Sequence, residues 1–432
     1  NDYARIHGVN HSVQTLCGLA LATSLVMSII ATLTGWVPLL YAGIPAWVAG
    51  LLVWPVTPRR TQIQGMILIA IGIAGLLVSA AHGAAIDWRH AISGNAALIA
   101  MLAAVSFLRL ITTPPRAEAM PRGGHSLWRT LLGVHLFGAV VNLSTVFIMA
   151  RRMAADEQLT RNQYQVLVKG FAVASFWSPF FAAMAAALTY APGAKLSVLI
   201  GFGAPMAALA LLLALLEARR CGAQDFIGYP MNPAALWLPA LLAVIILAVH
   251  AVMPEVSILG LIALLAPSVT AITLFLRREQ AGVAIGRHIR EGLPAMRAEL
   301  VLFLSAGVTA AGLASLVATF EPSLPFDEFA APQAALLLLA LVIAAVGGIH
   351  PVIGVAAAAA IVQPLSPDPS LLASVFLTAW GLGIVASPLS GLNLALQGAY
   401  GIRPGEILRW NAPFSIALLI IASALLYLHP AA

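Results

Sequence analysis

Two serine-proline pairs, Ser178-Pro179 and Ser387-Pro388, interrupt long apolar runs, and so do the stretches Asn142-Leu143-Ser144-Thr145 and Gly347-Gly348-Ile349-His350-Pro351. A proline inside a helix removes one backbone bond and pushes the residue before it out of the helical conformation. Serine ahead of proline caps a new helix whose first turn the proline ring pre-shapes. The spacing therefore predicts half-helices beginning at Pro179, Pro388 and Pro351, and at Ser144 or Thr145 in the remaining segment. Each such start presents unpaired N–H groups and roughly half a positive charge. An anion fits that field without any lysine or arginine, and none falls at the expected midplane. Unwound carbonyls ahead of each proline, with Ser and Asn oxygens, suit a sodium ion near Asn142, Ser144 and Ser387.

The candidate binding residues of the first half are Asn142, Ser144, Thr145, Ser175, Ser178 and Pro179. Those of the second are His350, Pro351, Ser387, Pro388, Ser390 and Asn393. Each has a plainer reading. Serines within apolar helices are as often satisfied by their own backbone or a neighbouring helix, which applies to Ser175 and Ser390. Buried asparagine is costlier and points more strongly to function. His350 is the one histidine at an expected hairpin tip and the one obvious titratable group for substrate or proton contact. His135 and His250 read as interhelical or interfacial hydrogen-bonders, and Lys169 as a side chain snorkelling to the interface.

These breaks need elements around them. The 432 residues are 61% hydrophobic and 9% charged, against about 25% charged in a soluble domain. Runs of about 20 apolar residues, enough to cross a hydrocarbon core of about 30 Å, recur from Leu16 onward. Spans are expected near 14–34, 37–57, 63–83, 91–112, 164–191, 196–216, 233–253, 256–276, 298–319, 369–398 and 411–429. The first reads as a retained span and not a signal peptide. Segments 128–150 and 333–363 either span or dip in and return.

Charge decides between these. If both dip in, and the N-terminus is cytoplasmic, only Arg89 and Lys195 of the 22 basic residues fall outside. If both span, the arginines from Arg151 to Arg297 all land outside, against the positive-inside rule. The expected protein is all-α and polytopic, with about eleven transmembrane helices plus two re-entrant hairpins. It sits in a bacterial-type inner membrane with its N-terminus inside and its C-terminus outside. The basic excess thus serves topology, and nucleic acid is not expected as a partner. Segment 279–297 reads as an amphipathic connector along the cytoplasmic headgroups. The two cysteines suggest neither a disulfide framework nor a metal site.

The two halves match in motif. Tyr190 lies 12 residues after Ser178 and precedes Ala-Pro-Gly-Ala-Lys, while Tyr400 lies 13 after Ser387 and precedes Gly-Ile-Arg-Pro-Gly. Ser144 precedes Ser178 by 34 residues and His350 precedes Ser387 by 37. Each half reads as hairpin, interrupted span, turn, span. Because one hairpin enters from each face, the repeat is inverted, an arrangement common among secondary transporters.

The spans, opposed hairpins and broken helices together resemble the ion transporter superfamily, which includes divalent anion/sodium symporters and TRAP membrane subunits. That resemblance implies a dimerising scaffold, 1–127 and 218–332, and two parts of a moving transport domain, 128–217 and 333–432. It implies an elevator-type mechanism and a homodimer formed through the scaffold. Family symporters carry Ser-Asn-Thr at each hairpin tip; here the first tip offers Asn142-Leu143-Ser144-Thr145, and the second reads Gly348-Ile349-His350-Pro351. The partners expected are a small anionic solute and the bilayer, with sodium or a proton as coupling ion and no other cofactor. No H-E-x-x-H occurs and no carboxylate sits centrally in a span, which argues against a membrane-embedded enzyme. A channel, or one subunit of a multi-component transporter, remains the alternative.

Overall fold

The computed structural model describes residues 11–111, 120–141, 143–154, 158–231, 237–321 and 324–431. The first helices are α1 (His11–Thr34), α2 (Leu40–Val53), α3 (Arg59–Ala81), α4 (Trp88–Ser93) and α5 (Ala96–Ser106). Next come α6 (Gly124–Val141), α7 (Ser144–Met153), α8 (Arg161–Ala172), α9 (Ala182–Tyr190) and α10 (Leu196–Arg220). After them run α11 (Trp237–Val252), α12 (Ile258–Leu276), α13 (Ala281–Arg287) and α14 (Arg297–Phe320). The last are α15 (Ala331–Val346), α16 (Pro351–Val362), α17 (Pro369–Ala386), α18 (Gly391–Tyr400) and α19 (Pro404–Leu426). Among the described residues 8 helical stretches are long and apolar enough to cross a membrane, and shorter apolar helices accompany them. No β-strand forms among them. The chain is an all-α polytopic membrane protein.

It divides into two compact units. Unit 1 comprises 1–111, 241–325 and 356–364; unit 2 comprises 112–240, 326–355 and 365–432. In unit 1, α3 packs along α14, and α1 packs on α2, α5 and α12. Small residues set the closest approach. At Gly72 a Cβ would fall on the carbonyl of Val308, and at Gly312 one would fall on the carbonyl of Gly72. Polar side chains tie α14 to its neighbours: Thr309 Oγ1 donates to the Leu68 carbonyl of α3 at 2.8 Å, and Asn95 Nδ2, at the start of α5, to that of Phe303 at 2.6 Å. Since backbone, and not a flexible side chain, occupies the space, Gly72→Leu must separate α3 from α14. We expect it to abolish monodisperse folded protein in detergent, while Gly282→Ala, where nothing lies within 4 Å, has no such effect.

The connector before α14 departs from the sequence expectation. His288, Leu293 and Pro294 are buried, His288 Nε2 lies 2.8 Å from Ser106 Oγ, and the Ile289 carbonyl occupies the space a Cβ on Gly18 would need. Residues 288–294 pack on α1 where Gly18 leaves it a flat face, while α13 ahead of them buries no residue.

Unit 2 holds the first segment whose topology was in question and, of the second, its first arm and turn as far as Val355. Neither is a continuous helix. In the first, the backbone amide of Tyr229 donates to Thr130 Oγ1 near the start of α6 (2.9 Å), while its hydroxyl meets Arg152 near the end of α7 (3.5 Å). Gln163 Nε2 joins the Met153 carbonyl at the end of α7 to that of Ile227 (2.9 and 3.1 Å). Both arms therefore begin and end at one place, so α6 and α7 form a hairpin. In the second, Gly348 takes the left-handed φ of +96° that ends α15. Near the turn, Ala345 and Pro351 both lie against Gly383 of α17. Helix α15 packs along α17 more extensively than any other helix does, so it must overlap α17 and run parallel to it. Helix α16 starts beside Gly383, with Leu341 of α15 lying against its Gly354.

The hairpins open at opposite ends. Asn162 Nδ2 at the start of α8 bonds the Ala218 carbonyl at the end of α10 (3.0 Å), and the amide of Lys195 at the start of α10 bonds Ser370 Oγ at the start of α17 (3.1 Å). Helices α8 and α17 thus start at opposite ends of α10. The first hairpin shares the α8 end, with Arg151, Arg152, Arg161, Arg219 and Arg220; the second shares the other. Both interrupted spans and both hairpin turns thus lie within unit 2.

Candidate functional site

Each broken span crosses the other just before its break. Tyr164 Oη on α8 donates to Asn393 Oδ1 on α18 at 2.7 Å, and eleven residues further along, Ser175 Oγ meets the Leu377 carbonyl of α17 at 3.4 Å. Moving up one strand of the crossing means moving down the other, so the pair is antiparallel. Gly381 makes the crossing close, since a Cβ there would sit 2.5 Å from Ser175 Oγ. Ser175 is fully buried and also donates to its own Ala172 carbonyl (2.7 Å). Its surroundings are those of a packing residue.

At the breaks one local device recurs. Ser178 Oγ accepts the amide of Phe180 (3.2 Å), Ser387 Oγ that of Leu389 (3.2 Å), and His350 Nδ1 that of Val352 (3.3 Å). In each, a side chain ahead of proline takes the N–H two residues on, forming a tight turn. Asp368 does the same for Ser370 (2.8 Å). Ser178 then donates to the Ala139 carbonyl of the first hairpin at 2.5 Å, fixing that hairpin's inner end beside the first break. His350 lies edge-on to Trp380 of α17, centroids 5.8 Å apart, at a recess also lined by Leu341, Ala345, Ile349 and Gly354. Each hairpin tip thus stands against the broken helix of its own half.

Two expectations shift in detail. Helix restarts at Ala182 and Gly391, not at Pro179 and Pro388. The serine hydroxyl turned to the N–H two residues on spends the first residues on a turn, and a second cap is needed; Ser390 supplies it by accepting the Asn393 amide (3.4 Å). Helix α16 does start at Pro351, and α7 at Ser144. Asn142 lies outside the described residues, as do the side chains of Ser144 and Thr145.

The second break is closed from within. Asn393, fully buried, donates to the carbonyls of Ile384 (3.0 Å) and Ser387 (2.8 Å); Ser390 Oγ donates to Ile384 (3.1 Å); Gln397 Nε2 donates to Pro388 (2.5 Å). Asn411 of α19 adds Nδ2 bonds to Val385 (2.9 Å) and Tyr164 Oη (3.2 Å). Polar groups freed by the interruption therefore meet Asn393 and Ser390, which sequence reading placed at the site, along with Gln397, Tyr164 and Asn411, which it did not single out.

Lys169 overturns the interfacial reading. Its side chain is 1% exposed and pairs with Glu217 of α10 at 2.6 Å, while the ammonium lies 4.7 Å from the Phe414 ring centroid. Gln165, one turn earlier, donates to the other Glu217 oxygen (2.8 Å) and to the Trp410 carbonyl (2.7 Å). A carboxylate on the neighbouring helix holds the ammonium inward, where an interface would have drawn it out. His135 keeps its expected role, with Nδ1 at the Gly170 carbonyl (3.1 Å) and Nε2 accepting from Trp177 (3.1 Å). No group of three or more His, Cys, Asp or Glu side chains suited to a metal ion occurs among the described residues.

The fold and site define a polytopic helical membrane protein with an inverted pair of interrupted helices. No protein-family model and no curated protein matches the chain. Solved structures are similar to it, two among them as follows. The Alcanivorax borkumensis YdaH transporter, described as having an unusual topology, is 14% identical over 86% of this chain and 85% of its own, with a TM-score of 0.41. Neisseria gonorrhoeae MtrF, described with a class of antimetabolite efflux pumps, is 12% identical over 99% of this chain and 82% of its own, with a TM-score of 0.41.

Proposed function

We propose that the chain is a secondary active transporter of a small anionic organic solute, coupled to sodium or protons, working by alternating access. The observation that carries this is the antiparallel crossing of two interrupted helices, each flanked by its own hairpin tip, inside a membrane protein. Backbone interruption at membrane depth is tolerated only where protein or a cavity receives it, and in transporters such breaks form the solute and ion sites. The starts of α9, α16 and α18 offer amide groups for an anion. Most candidate side chains at the breaks already serve their own backbone, so the solute is met chiefly by main chain, with His350 beside its recess. Unit 2 then moves as a body in an elevator cycle, and unit 1 is the homodimer scaffold. The basic end of unit 2 faces the cytoplasm of a bacterial-type inner membrane by the positive-inside rule.

The test begins with the purified protein in detergent, screened against small mono- and dicarboxylates for a shift of thermal midpoint with sodium or choline as cation. A hit is then reconstituted in vesicles. Uptake that saturates and follows an imposed sodium or proton gradient is expected. Non-saturating flux indifferent to both gradients would instead mark a channel.

A further inference from the structure

Helix α19 carries two buried oxygens that its fold leaves unused. Asn411 is fully buried and Ser415 is 6% exposed. They stand one turn apart on one face of α19, and neither Asn411 Oδ1 nor Ser415 Oγ has a hydrogen-bond partner among the described residues. A third such atom is Gln165 Oε1 on α8, a residue 2% exposed whose amide nitrogen donates to the carbonyl of Trp410, beside Asn411. Buried polar atoms are nearly always paired, so three unpaired oxygens on two touching helices point to a common need. What they lack is a positive partner.

The surrounding charge agrees. Asn411 Nδ2 is bound to the Val385 carbonyl, in the last turn of α17, which places Asn411 at the carboxyl end of a helix that ends inside the protein. That end carries about half a negative charge and favours a cation. The formal charges nearby, Lys169 and Glu217, neutralise each other at 2.6 Å. A set of neutral oxygens without a carboxylate suits a monovalent hard cation better than calcium or magnesium, which take carboxylates.

We infer that Asn411, Ser415 and Gln165 supply ligands to a sodium ion at the carboxyl end of α17. The site differs from the one expected near Asn142, Ser144 and Ser387, and Ser387 Oγ already accepts the Leu389 amide. The ion joins α8, α17 and α19 at the crossing, so its arrival stiffens the second break. Its role as the coupling site rests on the transport reading; its binding does not.

Ser415→Ala gives the cleanest test, because it removes a hydroxyl that bonds nothing else. The thermal midpoint of the purified protein is measured in sodium chloride and in choline chloride at equal ionic strength, with potassium chloride as a third arm. For the unaltered protein, a saturable rise specific to sodium is expected. For Ser415→Ala, the choline midpoint should be unchanged and the sodium needed for half the effect should rise about ten-fold, the worth of one charge-assisted contact. Equal midpoints of the unaltered protein in sodium and choline would mean that the oxygens hold only water and would overturn the inference. So would a Ser415→Ala protein with an unshifted sodium titration. A protein that binds sodium yet moves no anion in vesicles overturns the transport reading and leaves the site standing.

Discussion

Asn393→Leu is expected to lower stability by about 3 kcal/mol, read as a fall in thermal midpoint in detergent, because it strips a buried knot of its shared partner. The leucine cannot donate to the Ile384 and Ser387 carbonyls or accept from Tyr164 Oη, and Asn393 now does all three. Ile384 keeps its bond from Ser390 Oγ, so the loss falls mainly on Ser387 and Tyr164. Asn393→Asp should be at least as damaging: it keeps the acceptor for Tyr164 but replaces both donated bonds by repulsion between a carboxylate and two carbonyls. Tyr164→Phe should cost less, about 1 to 2 kcal/mol, since Asn393 and Asn411 retain their backbone partners. A Leu variant as stable as the parent would mean that the second break is not held by this network. The first break offers a comparison, because Ser178 there fills the closing role with a bond to Ala139, drawn from the hairpin and not from the returning helix.

That asymmetry marks how far the sequence could be read. Proline inside an apolar run is a local signal, and it located both interrupted spans and the second hairpin turn, where Gly348 takes the backbone conformation glycine permits. Charge asymmetry of the loops then argued for hairpins, and the packing of α6 with α7 and of α15 with α17 agrees. What a local signal does not contain is the partner. Ser178, Ser387 and His350 read equally well as ligands or as turn-formers, and the choice depends on where the next amide but one points. The span expected over 411–429 has Asn411 as its first residue. Helix α19 in fact starts at Pro404, with Glu406 accepting the Arg403 amide at 3.0 Å, which carries Asn411 two turns inside. A periodic signal was present all the same: Gln165 and Lys169, and again Asn411 and Ser415, are polar residues at helical spacing in a chain that spends few of them. Such pairs mark one helix face that must find polar company.

Glu217→Ala is the change expected to damage unit 2 most. Lys169 is the one Lys, Arg, Asp or Glu among the buried polar residues described, and Glu217 Oε2 is its hydrogen-bonded anion. Removing the carboxylate leaves an ammonium in apolar surroundings with the Phe414 ring as its remaining contact, a loss of about 3 to 5 kcal/mol by comparison with other broken buried pairs. The reverse deletion, Lys169→Met, should cost less, because Glu217 is 21% exposed and can turn toward water while Gln165 still donates to it. Removing both charges at once, Lys169→Met with Glu217→Gln, should recover most of the loss, since neither a bare ion nor a large cavity remains. The ordering Glu217→Ala, then Lys169→Met, then the double variant, in thermal midpoint from lowest to highest, separates a desolvated pair from a surface one. Three midpoints within about 1 kcal/mol of the parent would place the pair in water and return Lys169 to the interface. The pair also joins α8 to α10, the helix that links the outer ends of the two opposed hairpins. Loss of Glu217 should therefore loosen the first hairpin's base at Asn162 and Gln163 before the crossing at Ser175, an order that amide hydrogen exchange on the Glu217→Ala protein can read directly.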